Sequence, residues 1–101
     1  PNPEYLEYLK DISIDEINYD LDKYGQNLLY FSARNGNLNV VRALVNLPGI
    51  NLNTITKNGS TPLDGADYGF DHNYFKNKPY RLKIGDLLLK RGAWRNKFNY
   101  R

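Results

Sequence analysis

The chain has 101 residues, a net charge of +3 and 41% hydrophobic residues, which suits one small domain with a modest core. It has no Cys, which excludes disulfides, thiolate metal sites and cysteine nucleophiles, and no apolar run nears the roughly 20 residues a membrane helix needs. Charge is unevenly placed: residues 1–22 hold seven acids and one base, and residues 76–101 nine bases and one acid, as in an elongated body with an acidic and a basic end.

The first predicted element is a short helix over Pro3 to Lys10, with Pro3 in its first turn and Tyr5, Leu6 and Leu9 at helical spacing. Ser13 followed by Glu16 fits a capping box, and Ile14 with Ile17 makes one more helical turn plausible. Leu21 to Gln26 reads as a turn centred on Gly25. Asn27 then caps a helix running to Asn35, packed through Leu28, Leu29, Phe31 and Ala33, and Gly36 ends it. Leu38 to Leu47 is the next helix, with Val40, Val41, Leu44 and Val45 on one stripe, stopped by Pro48-Gly49.

Ile50 to Gly59 forms a second turn with Asn58-Gly59 near its tip. Thr61 caps the following helix and Pro62 takes its first position. Gly65 and Gly69 weaken that helix by roughly 1 kcal/mol each against Ala. About ten extra residues follow, within Phe70 to Lys83, before a last helix over Leu82 to Arg91. Gly92-Ala93 closes it, and Trp94, expected to pack on that helix, opens a basic, aromatic tail.

Two of these stretches echo each other 34 residues apart. Gly25 maps onto Gly59, Asn27 onto Thr61, Leu29 onto Leu63 and Ser32 onto Ala66. A period near 33 residues is the mark of a solenoid. Asp22, Gly25, Leu29, Ala33, Gly36, Val40, Val41, Leu44, Val45 and Asn53 fit one unit of a familiar pattern. Gly59, Thr61, Pro62, Leu63 and Ala66 open a second, which Ile84, Leu87, Leu88, Leu89, Gly92 and Ala93 close. The chain thus resembles the ankyrin-repeat family, with departures at Asp64 (usually His) and Asp67 (usually Ala).

The resemblance implies an all-α ankyrin-repeat solenoid: about two repeats plus an N-terminal half-repeat, with an insertion in the last repeat. As one domain over 1–101 it would divide into a half-repeat (1–21), a repeat (22–55), a repeat with insertion 70–81 (56–94) and a basic tail (95–101). It also implies binding through turn tips and the inner-helix edge, a concave face. Those positions are Lys23, Tyr24, Gln26, Arg34 and Asn35 in the first unit, and Lys57, Asn58, Ser60 and Tyr68 in the second. Tyr74 and Phe75 of the aromatic insertion join them as candidates. The insertion's rings, Phe70 and Tyr80 included, serve equally as a cover for the end of the core.

The expected function is a non-catalytic protein-interaction module, with a cytoplasmic setting as the expectation. One alternative is anion binding, to nucleic acid or a membrane surface, through Lys90, Arg91, Arg95, Lys97 and Arg101 with Trp94, Phe98 and Tyr100. Such runs are more often solvated faces. Another is a scaffold segment of a larger multi-domain protein such as a host-targeting effector, since a chain without Met at position 1 is expected of a fragment or processed product. Neither cofactor nor small-molecule substrate is expected. His72, the only His, has no metal-ligand spacing with Asp71 or Asp67, no G-x-x-x-x-G-K occurs, and Ser13, Ser32 and Ser60 lack a triad context.

Overall fold

Capping side chains set where the helices begin in the computed structural model, which describes residues 13–19, 21–72 and 78–96. Helix α1 (Ile14–Asn18) starts at Ser13, whose Oγ accepts the Glu16 N–H and donates to Glu16 Oε1, both at 3.2 Å. Helix α2 (Leu28–Arg34) starts at Asn27, whose side chain accepts the Tyr30 N–H at 3.0 Å. Asn27 is 1% exposed, so its amide nitrogen must also be satisfied. It donates to Thr54 Oγ1 at 3.0 Å and to the Asn18 carbonyl at 3.4 Å, tying α1 to the second turn. The expected helix over Pro3 to Lys10 lies outside the described residues.

Gly36, at φ +77°, breaks the chain after α2. Asn37 N–H then donates to the Ser32 carbonyl at 2.9 Å and Gly36 N–H to that of Ala33 at 3.3 Å, a Schellman closure. Helix α3 (Leu38–Val45) follows and ends two residues short of the expected Leu47. Helix α4 (Pro62–His72) starts at Thr61, and α5 (Lys78–Lys90) starts four residues before the expected Leu82. Both flanks of the interval 70–81 are therefore helical. Residues 73–77, with Tyr74 and Phe75, lie outside the described residues.

The helices form two layers, α2 against α4 inside and α3 against α5 outside. Leu29, Val41, Leu44, Leu63, Ile84 and Leu88 meet between them with no exposed surface. Burial of each such side chain is worth roughly 1.5–3 kcal/mol. On α5 the buried face is Arg81, Ile84 and Leu88, at three- and four-residue spacing. Leu89, one of the residues that close the second unit of the pattern, is 46% exposed because that spacing turns it outward. The buried Arg81 reaches under the stack, and its Nε–H donates to the Arg34 carbonyl at 3.2 Å, satisfying the C-terminal end of α2.

The two turns are built alike and bolted together. Asp22 Oδ1 accepts the N–H groups of Tyr24 (2.9 Å) and Gln26 (3.1 Å). One period on, Thr56 Oγ1 accepts the Ser60 N–H at 3.0 Å. Lys57 N–H crosses to the Tyr24 carbonyl at 2.8 Å. Gly25 sits at this seam with φ +78°, and a Cβ there would lie 3.3 Å from the Lys57 nitrogen, so both conformation and space ask for glycine.

A second seam uses asparagine. Asn18 Oδ1 accepts the Asn51 N–H at 2.9 Å, and Asn53 Oδ1 accepts the Trp94 N–H at 3.2 Å. In each case the bonded N–H belongs to the residue two places before the next asparagine of the series: Asn51 before Asn53, Trp94 before Asn96.

Candidate functional site

The inner layer forms one wall of an open pocket of about 350 Å³, lined by Gln26, Tyr30, Arg34, Asn58, Ser60, Asp64 and Tyr68. Six of these seven are three pairs related by the 34-residue period: Gln26 with Ser60, Tyr30 with Asp64, and Arg34 with Tyr68. Within each unit the three are four residues apart: Tyr30 with Arg34, and Asp64 with Tyr68, share a helix face, and Gln26 and Ser60 extend each row into the turn before the helix. The pocket is where two equivalent stripes lie side by side.

Its outer end is a cation–π pair, with the Arg34 guanidinium 5.2 Å from the centre of the Tyr68 ring. Its floor is Tyr30, 7% exposed and hydrogen-bonded to Ser60. Burial pushes the Tyr30 phenol above its ordinary value of 10.0, and the Ser60 bond and the Arg34 charge offset this in part. Gly65 makes the close approach possible, because a Cβ at that position would lie 3.0 Å from Tyr30 Cε2.

Asp64, read from sequence as a departure from the pattern, closes a reciprocal cap. Thr61 Oγ1 accepts the Asp64 N–H at 3.2 Å, and Asp64 Oδ2 accepts the Thr61 N–H at 2.9 Å. The same carboxylate oxygen accepts the Asn96 N–H at 3.0 Å. Asp67, the other departure, pairs with Arg95, and this bond is the main reason the Arg95 guanidinium titrates above its usual range. Asn96 Nδ2 donates to the Gly59 carbonyl at 2.7 Å, and the Thr61 hydroxyl lies 2.9 Å from the Trp94 carbonyl. The two irregular aspartates thus hold residues 94–96 against the last unit. Trp94, expected to pack on the final helix, is 46% exposed while its backbone is bonded on both sides.

Of the residues expected on the binding face, the structure gathers Gln26, Arg34, Asn58, Ser60 and Tyr68 around the pocket. Tyr24 and Lys57 stand exposed at the adjoining tips, and Lys23 lies beside them with its ammonium 5.4 Å from the Tyr24 ring. Asn35 does not join them; it lines a separate depression with Arg42, Tyr80 and Lys83. Tyr30 and Asp64 are additions that sequence reasoning missed. The signal was present: they are the middle members of stripes whose ends, 26 and 34, 60 and 68, had been singled out.

At the basic end Arg91 and Arg95 are bonded within the chain, while Lys97 and Arg101 lie outside the described residues. Arg91 donates to the Val45 carbonyl at 3.1 Å and to Asn46 Oδ1 at 2.8 Å. Among the described residues, no group of three or more His, Cys, Asp or Glu is placed to hold a metal, and no helix is long and apolar enough to cross a membrane.

A family model described as "Ankyrin repeats (many copies)" matches residues 16–66, half of the chain. It takes in the end of α1, all of α2 and α3, and the first turn of α4. No curated protein and no solved structure matches the chain.

Proposed function

We propose that this chain, which belongs to the ankyrin-repeat family, holds a partner protein on the concave face between its turn tips and inner helices. Ankyrin repeats generally mediate binding between proteins and are typically non-catalytic. The observation that supports this placement is the double stripe: matching positions from both units line one pocket, flanked by exposed Tyr24 and Lys57. Two tyrosines, an arginine and several amides are the mixture that interfaces use, aromatic and guanidinium groups as anchors and amides as adaptable contacts. Anion binding at the basic end draws less support, since Arg81, Arg91 and Arg95 are bonded within the chain.

The test is binding of a partner captured on the immobilised domain, identified and then measured as a purified protein. Tyr68→Ala with Gln26→Ala should weaken binding about tenfold or more while the melting temperature holds. Unchanged affinity would remove the concave face from the interface. Replacing Tyr74 and Phe75 by Ser asks separately whether the interval 73–77 adds to that surface.

A further inference from the structure

Among the described residues, the concave side satisfies its acids from within and gives its bases no acidic partner. Asp22 accepts the Tyr24 and Gln26 N–H groups, Asp64 those of Thr61 and Asn96, and Asp67 is taken by Arg95. Arg34, Lys23 and Lys57 form no ion pair among the described residues. Two of the three cations rest against rings, Arg34 on Tyr68 at 5.2 Å and Lys23 by Tyr24 at 5.4 Å.

This arrangement has a chemical reading. Stacking uses the face of a guanidinium and leaves its edge N–H groups for a planar, two-oxygen acceptor. Gln26 and Asn58 bring side-chain amides to the same pocket, and these suit the backbone of an extended segment on either side of a held residue. That favours a side chain from a passing segment over a chain terminus. We infer that the pocket is a carboxylate seat: the partner segment presents Glu or Asp to Arg34, with Lys23 and Lys57 adding charge at the rim. The inference rests on the concave-face reading and names the chemistry of what that face binds.

The experiment follows the Arg34 Nε–Hε resonance of the isotope-labelled chain, assigned through Arg34→Gln. The probe is an N-acetylated, C-amidated peptide of repeated Gly-Glu-Ser; the comparison replaces every Glu by Gln. The Glu peptide should shift the Arg34 resonance saturably, and the Gln peptide should bind about tenfold more weakly or worse. Arg34→Gln should lose about the same factor, read on backbone resonances of the pocket, while Lys90→Gln on the outer helix should lose little.

No shift with the Glu peptide, equal binding of both peptides, or equal loss from Lys90→Gln overturns the inference. An oligothymidylate that binds the same pocket more tightly also overturns it, in favour of a nucleic acid. If these arms fail while partner binding still falls with Tyr68→Ala, the face is right and the carboxylate is wrong. If partner binding ignores Tyr68→Ala as well, the face itself is wrong.

Discussion

The Asp64 carboxylate accepts the backbone N–H of Asn96 from 32 residues further along the chain, with the oxygen that also closes the cap on Thr61. One side chain thereby starts a helix and fastens the end of the stack. Removing it should cost both functions at once.

Asp64→Ala should therefore destabilise by about 2 kcal/mol, the sum of a lost N-terminal cap and a lost charged acceptor. For a domain of this size that is roughly 10 °C in melting temperature. Asp67→Ala is the control. Its pair with Arg95 is partly exposed, at 27% and 39%, so solvent screens it and the loss should stay under about 1 kcal/mol. Equal losses from the two variants, in urea unfolding, would contradict the double role of Asp64.

Gly65→Ala should act against helix propensity. Propensity alone favours Ala by about 1 kcal/mol. The added methyl, however, would stand 3.0 Å from the ring of Tyr30, which is buried and bonded to Ser60. Overpacking typically costs about 1–3 kcal/mol, so the net effect should be a loss of about 1 kcal/mol. A stabilised variant in thermal unfolding would show that the two inner helices have room to separate.

Tyr30 gives the fold an alkaline limit. Its phenol keeps its proton to a higher pH in the folded chain than the ordinary 10.0. Both states are protonated below that value, so the contribution is then fully present. As pH rises past it, the unfolded chain ionises first, and the stability is lost as pH passes through the folded value. Between about pH 9 and about pH 11, the fall in urea midpoint should be smaller for Tyr30→Phe than for the parent chain. Equal falls would mean that the buried phenol does not couple to folding.

Asn53→Ala should loosen Trp94 without melting the core, since Arg95 and Asn96 keep their bonds to Asp67, Asp64 and Gly59. It removes the acceptor for the Trp94 N–H, leaving Thr61 as the bond to the Trp94 carbonyl. Trp94 is the only Trp, so its fluorescence reports this alone. Its emission anisotropy should drop while helical circular dichroism stays constant, at a cost of about 1 kcal/mol. A cooperative loss of helix would place Asn53 in the core instead.

What the sequence makes legible here is chemistry that acts within a few residues. Asn27 as a cap, Gly36 as a stop and the two turns around Gly25 and Gly59 are all local, and all are present. Helix α5 starts four residues before the expected Leu82, and Gly65, a weak helix residue in isolation, here lets Tyr30 approach α4. Arg81, Arg91 and Arg95 read as one basic run, since nothing in their order along the chain names the partners Arg34, Val45, Asn46 and Asp67. Five of the expected face residues meet at the pocket, but Tyr30 was hidden among Leu28, Leu29 and Phe31, and Asp64 looked like a lapse in the pattern.

The asparagine seam is indifferent to what lies between its rungs. From Asn18 to Asn53 the chain takes 35 residues, and from Asn53 to Asn96 it takes 43, yet the side-chain bond to the following unit is the same. The surplus is spent at the far ends of α4 and α5, where neither seam passes. A stack stitched in this way has its pitch set along one edge, and the other is a hem fastened where Arg81 bonds the Arg34 carbonyl. Evolution or an engineer can let out that hem, adding helical turns opposite the fingers, while the spacing of the fingers stays as it was.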